Sequence, residues 1–175
     1  DYGAIWTERQ PGGNVGLDWH AVASDADGSH LVAAVQGGRL YTSADFGVTW
    51  IERTPAGAVN VSWSGVASDA TGACIIASVF VGRVYTSVDG GLNWVERNPW
   101  GGVAIDRPWA EVASDSDGSN LMVCGAGVGG RLWTSADFGA TWTERTPGGA
   151  ANLSWDGVAS DDDGSNLIVA SSVSP

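Results

Sequence analysis

The chain has no lysine, two histidines, two cysteines and one methionine among its 175 residues. Its positive charge rests on eight arginines against twenty Asp and Glu, a net of −12. An acidic surface of this kind is repelled by phosphate backbones and anionic lipid, which excludes nucleic acid and an anionic membrane surface as partners. No apolar run reaches the 18 or more residues that a transmembrane helix needs, so membrane insertion by a helix is excluded. Two cysteines make no disulfide framework, and His20 and His30 stand apart, so no zinc constellation is present. Cys74 aligns by repeat with His30 and Cys124 with Ala34. These are different heights on different repeats, and both cysteines read as small buried apolar residues. A convincing helical period is also missing. No leader pattern is visible and the first residue is Asp rather than Met, which reads as a processed or excised product. The length allows one sizeable core.

What is present is glycine, tryptophan and repetition, with 26 Gly and ten Trp. The stretch Ser43-Ala44-Asp45-Phe46-Gly47-Val48-Thr49-Trp50 returns at Ser87–Trp94 and Ser135–Trp142, and a clipped copy opens the chain at Asp1–Trp6. The Asp-to-Asp spacings are 44, 44 and 48 residues, a period that denotes a repeat architecture. Within each copy, Asp accepts hydrogen bonds from nearby backbone N–H groups and Gly supplies a positive φ, so the stretch predicts a locked hairpin turn. The closing Trp buries on the order of 150–250 Å², worth roughly 4–6 kcal/mol at about 25 cal/mol per Å².

This S-x-D-x-G-x-T-W pattern resembles the Asp-box (BNR) repeat of sialidase-type β-propellers. Three copies match well, and the copy at Asp1 lacks the preceding Ser and has Ile5 in place of Thr. The resemblance covers the whole chain, because the residues between the boxes repeat too. It implies an all-β fold, a β-propeller of four-stranded antiparallel blades, in one domain of repeats 1–44, 45–88, 89–136 and 137–175.

Each repeat reads as four strands, A to D. Strand A begins at Trp19, Trp63, Trp109 and Trp155 and carries Val-Ala-Ser-Asp, whose small side chains suit the crowded innermost position. Strand B is a continuous apolar run, as at Leu31 to Val35, which predicts burial on both faces between stacked blades. Strand C runs from Arg39, Arg83 and Arg131 into the box. Strand D ends in Glu-Arg pairs at 8–9, 52–53, 96–97 and 144–145, charges expected to protect an outer edge. The last repeat stops before the body of its strand C. The expectation is that the N-terminal strand D closes that blade, in the same chain or in a homodimer whose two chains share one ring.

Repeat three is longer by two residues in its D–A loop (98–108) and two in its B–C loop (125–130). Both loops lie at the end of the blades opposite the boxes, and insertions gather where binding residues sit. The D–A/B–C face is therefore the expected functional face. Trp19, Trp63, Trp109 and Trp155 start strand A there, and Arg39, Arg83 and Arg131 start strand C. An indole stacks on the C–H face of a sugar, and an arginine fork donates to hydroxyls or a carboxylate. Asp18, His20, Asn60, Asn152 and Asp156 are neighbouring polar candidates. Trp100 and Trp133 break the periodicity, and Trp100 lies in the lengthened loop, which marks it as a binding candidate. A repeated Trp is more often a wedge between blades, and the same four strand-A indoles suit that role.

Resemblance to sialidases implies an arginine triad, a Tyr/Glu nucleophile pair and an acidic Asp. Here every arginine but Arg107 is periodic, and Asp106 with Glu111 is the best asymmetric carboxylate pair to be found. An active site needs asymmetry, so no catalytic residue is assigned and an enzyme is not expected. The Asp-rich A–B turns lack the spacing and distal Glu of a calcium loop, so neither metal nor cofactor is expected. Near-symmetry suits a lectin similar to bacterial β-propeller lectins, with glycans bound in repeated shallow sites. The alternatives are a protein scaffold, similar to the Asp-box propellers of sorting receptors or photosystem assembly factors, and an Asp-box glycoside hydrolase similar to xyloglucanases. A secreted or extracellular location is expected.

Overall fold

A computed structural model describes residues 5–13, 16–101, 106–127, 130–147 and 153–172. Fourteen strands run in chain order: β1 (Trp19–Ser24), β2 (Leu31–Val35), β3 (Leu40–Ser43), β4 (Ile51–Arg53), β5 (Trp63–Ser68), β6 (Ile75–Val79), β7 (Val84–Ser87), β8 (Val95–Arg97), β9 (Trp109–Ser114), β10 (Leu121–Gly125), β11 (Leu132–Ser135), β12 (Thr143–Arg145), β13 (Trp155–Ser160) and β14 (Leu167–Ser171). They form three antiparallel meanders, β1-β2-β3-β4, β5-β6-β7-β8 and β9-β10-β11-β12, and a two-stranded sheet β13-β14. The innermost strands β1, β5, β9 and β13 pack in sequence on one another, giving three complete propeller blades and half of a fourth.

Each C–D turn is fixed by the box. In the first, Ser43 Oγ donates to Asp45 Oδ1 at 2.9 Å and accepts from Gly47 N at 2.9 Å. Asp45 accepts from Thr49 N at 2.8 Å and from the Thr49 hydroxyl at 2.6 Å. Trp50 Nε1 donates to Gly47 O at 2.9 Å, so the ring is anchored to the turn it closes. The other two boxes repeat these bonds within about 0.1 Å, with Asn93 standing in for Thr. Phe46 and Gly47 both adopt positive φ (59° and 76°), so the left-handed conformation spans two residues, not the glycine alone.

Between blades the contacts repeat as well. Val32, Ala34 and Leu40 of the first blade meet Trp63, Val66 and Tyr85 of the second. Ile76 and Val84 of the second meet Trp109, Val112 and Trp133 of the third. Cys124 and Leu132 of the third meet Trp155 of the half-blade. Continuous burial along strand B holds in β2, β6 and β10, each of which is followed by another blade. It fails in β14, the last of the described strands, which is mostly exposed.

Two backbone belts tie the blades together. At the A–B turns, Ala26 N donates to Ala70 O, Ala70 N to Ser116 O and Ser116 N to Asp162 O, at 3.1, 2.9 and 2.9 Å. At the opposite end, bridges Gly38↔Val61, Gly82↔Arg107 and Gly130↔Leu153 join each B–C loop to the following D–A loop.

One expectation needs correction. The Glu-Arg pairs do not both stand at the outer edge. Arg53, Arg97 and Arg145 fold inward, each Nε donating to a strand-C threonine (Thr42, Thr86, Thr134) at 2.7–2.8 Å. Only the glutamates are exposed in all three blades, and each lies within 4.0 Å of a strand-C arginine. Among residues 5–13 no strand is formed within the single chain, which leaves closure of the half-blade by an N-terminal strand an expectation. Arg9 nevertheless stands where a strand-D arginine stands elsewhere. A Cβ at Gly47 would lie 3.6 Å from Arg9 Cγ, as one at Gly91 would lie 3.7 Å from Arg53 Nε and one at Gly139 3.5 Å from Arg97 Nε.

Candidate functional site

The boxes and the A–B turns occupy one end of the blades, and the B–C and D–A loops the other. The A–B carboxylates are engaged in closing their own turns. Asp115 accepts from Asn120 N at 3.1 Å and Asn120 Nδ2 at 2.6 Å, and Asp161 accepts the same pair of bonds from Asn166. Asp25 accepts from Ser29 Oγ at 2.9 Å and contacts His30 Nδ1 at 2.8 Å.

At the D–A/B–C end, the strand-A indoles are wedges. Trp63, Trp109 and Trp155 are 2%, 2% and 7% exposed. Trp63 meets Tyr85 edge-on at 5.8 Å, and Trp109 meets Trp133 edge-on at 5.2 Å. Their ring faces are covered by the preceding blade, which is the wedge role and not the sugar-stacking role that the sequence also allowed. Trp19, in the first of the described blades, is 38% exposed. It keeps the same edge-on contact, to Tyr41 at 5.5 Å.

The strand-C arginines act mainly as clamps on the next loop. Arg39 donates to Asn60 Oδ1 at 2.7 Å, Ala58 O at 2.9 Å and Gly57 O at 3.3 Å. Arg83 Nε lies 3.0 Å from Asp106 Oδ1, and Arg131 Nη1 donates to Glu144 Oε1 at 2.8 Å. Asp18, His20 and Asp156 are exposed. His20 and Asp156 fall at strand-A bulges, between Trp19 and Ala21 and between Trp155 and Gly157, where the extra residue re-aims its side chain. Asn152 lies outside the described residues.

Repeat three departs from this pattern in one place. Trp133 occupies the position of Tyr41 and Tyr85, and Trp100 packs against it at 5.3 Å. The Arg107 guanidinium lies 3.8 Å from the centre of the Trp100 ring, a cation–π contact. Arg107 is brought there by the bridge to Gly82, with both backbone bonds at 3.1 Å. Trp100 remains 41% exposed, so an open indole surface sits on a fixed base of arginine and tryptophan. Two buried guanidinium nitrogens at this blade junction, Arg83 Nη1 and Arg107 Nε, have no hydrogen-bond partner among the described residues. The sequence marks Trp100, Trp133 and Arg107 as non-periodic. Their convergence was not legible, because it depends on the path of the 98–108 loop.

Glu111 is partly buried on strand A. Burial pushes its carboxyl above the usual range, against an N–H bond from Val112 and the charge of His20, which pull it back. Asp106, its partner in the weak carboxylate pair, is exposed and engaged with Arg83.

Comparison with known proteins agrees with this geometry. The BNR-Asp box repeat family matches residues 132–145. No curated protein matches the chain. Among solved structures, the Niastella koreensis GH74 enzyme superimposes with a TM-score of 0.65 at 20% identity, covering 88% of this chain and 26% of that one. YCF48 from Cyanidioschyzon merolae gives 0.61 at 19% identity over 90% of this chain and 52% of that one. YCF48 bound to D1 peptide gives 0.55 at 15% identity over 73% and 39%. The chain thus spans about a quarter to a half of each, and at these identities the likeness shows the fold.

Proposed function

Since the chain is an Asp-box (BNR) repeat β-propeller, we propose that it binds carbohydrate through the Trp100–Arg107 platform on the D–A/B–C face. The observation that carries this reading is the half-exposed Trp100 indole, held from one side by Arg107 and seated on Trp133. A braced ring offers its open surface to the C–H face of a sugar with little rotamer entropy left to lose. The Arg107 guanidinium against the ring keeps a fixed positive charge beside it that favours hydroxyl or carboxylate oxygens, and geometry of that kind favours binding over catalysis. The site is single rather than repeated, because the equivalent loop of the first blade junction, residues 54–62, has no tryptophan. Glycans are the proposed partners, and a secreted or extracellular location goes with them.

The test is a glycan array probed with the chain and with Trp100→Ala. The expected result is a restricted set of bound glycans and at least a tenfold loss of affinity in Trp100→Ala, about 1.4 kcal/mol. Phe46→Ala, altered at the exposed box end, retains binding. A blank array, or a Trp100→Ala protein that binds as well as the wild type, refutes the proposal. The second reading, a protein-binding scaffold, is favoured by the similarity to a YCF48 propeller solved with a bound peptide. It predicts peptide capture on the same face by a protein that leaves the glycan array blank.

A further inference from the structure

The residue after the box aspartate is Phe46 in blade one, Gly90 in blade two and Phe138 in blade three, all at positive φ (59°, 69° and 56°). At the box end of the junction between blades two and three, Phe138 stands with Cys74, Thr86 and Leu121, and no room for a water molecule remains. At the same place between blades one and two the aromatic ring is replaced by Gly90. There a cleft of about 200 Å³ opens, and both of its walls belong to four-stranded blades.

Leu31, Val32 and Ile75 give the cleft an apolar wall, and Arg53 and His30 give it a polar one. Arg53 Nε donates to Thr42 Oγ1 at 2.8 Å, while its two terminal nitrogens have no hydrogen bond among the described residues. Its counterpart at the next junction, Arg97, donates from Nη2 to Phe138 O at 3.4 Å. Burial weighs against the Arg53 charge, and Asp89 supports it. Asp45 also borders the cleft, but both of its carboxylate oxygens are engaged by Ser43 and Thr49 of its own turn. His30 stands where the later repeats have Cys74, Asn120 and Asn166. Its Nδ1 is held by Asp25 Oδ2 at 2.8 Å. A Cβ at Gly72 would overlap the His30 side chain, so glycine in that turn keeps room for the imidazole.

We propose that this cleft binds a small carboxylate with an aromatic or branched aliphatic body. The carboxylate takes the open terminal nitrogens of Arg53, a planar fork that matches its two oxygens. The body lies against Leu31, Val32 and Ile75, where it removes apolar surface from water. A dry cavity of roughly 150 Å³ takes up benzene, so the larger space here holds one ring and its carboxylate. The site is at the opposite end of the blades from Trp100 and does not rest on the glycan reading.

The probe is benzoate, with benzamide as its neutral counterpart of the same shape. The chain has two histidines, and their imidazole NMR signals report on opposite ends of the blades. Benzoate is expected to shift the His30 signal saturably and to leave His20 unmoved. Benzamide, which sets an N–H group against the arginine fork, is expected to bind about tenfold more weakly or worse. Gly90→Phe places in the cleft the side chain that blades one and three carry at this position, at a φ which Phe46 and Phe138 already adopt. It is expected to abolish the shift. Arg53→Lys keeps the charge, loses the fork and is expected to weaken benzoate by about tenfold. Either variant decides if the other fails to fold. A His30 signal indifferent to benzoate, a shift that persists in Gly90→Phe, or benzamide binding as tightly as benzoate overturns the proposal. None of these results bears on the glycan array, and a blank array leaves them standing.

Discussion

Trp63 and Trp109 occupy the same position in successive blades with the same 2% exposure, yet their indole nitrogens differ. Trp109 Nε1 donates to Gly82 O at 3.1 Å, whereas Trp63 Nε1 is buried without a partner. Substitution by Phe separates the two. Removing the indole's second ring uncovers a small cavity at each site, costing about 1–2 kcal/mol in either case. At Trp109 the change also deletes a hydrogen bond worth about 1 kcal/mol. Gly82 O keeps its bond from Arg107 N, so no orphaned acceptor adds to this. At Trp63 the change instead removes an unsatisfied donor, whose burial costs about 1–3 kcal/mol. Trp109→Phe is therefore expected to destabilise by about 2–3 kcal/mol, and Trp63→Phe to fall between neutral and about 1 kcal/mol destabilising. Urea unfolding of both variants, followed by circular dichroism, measures the difference directly. Equal losses would show that the two indoles are equivalently bonded and would refute the argument.

Acid should loosen the boxes. Hydrogen bonds from Thr141 hold the Asp137 carboxyl at about 2, and Asp45 and Asp89 are lowered by the same kind of bond. A depressed carboxylate stabilises fully above the unfolded-state value near 4 and loses that contribution as pH falls toward 2. The urea midpoint should therefore drop between pH 4 and pH 2, less so in Asp137→Asn; a flat profile contradicts this. Gly139→Ala combines a φ of 80° with a Cβ 3.0 Å from Thr86 Cγ2, whereas Gly28→Ala has φ 82° and open space. The first is expected to cost about 2–3 kcal/mol and the second about 1 kcal/mol in thermal unfolding. Burial raises the Cys74 and Cys124 thiols to about 11 and about 12. Neither should react with a thiol reagent at pH 8 in the native protein, and both should react in denaturant. Prompt labelling of native Cys124 would be the contrary result.

Much of the box end was readable in the residues. Ser43, Asp45, Gly47, Thr49 and Trp50 make their bonds within eight consecutive positions, so local spacing suffices to specify the turn. Strand B was legible for the same reason, its unbroken apolar run requiring cover on both faces. The binding face was legible only as a direction. The sequence makes Trp19, Trp63, Trp109 and Trp155 equivalent, but the fold makes wedges of Trp63, Trp109 and Trp155, because their cover comes from the preceding blade. Arg39 and Arg83 looked free for a ligand, yet each turns to the loop that follows it in space, through Asn60 and Asp106.

Composition, period and the box pattern by themselves determined an acidic all-β repeat protein with blades locked at one end, since those properties rest on contacts within one turn or one strand. The tertiary structure decided which indoles became wedges, which arginines became clamps, and that Trp100, Trp133 and Arg107 meet. Those outcomes depend on blade-to-blade distance and on the path of an inserted loop, and neither is encoded in the spacing of neighbouring residues.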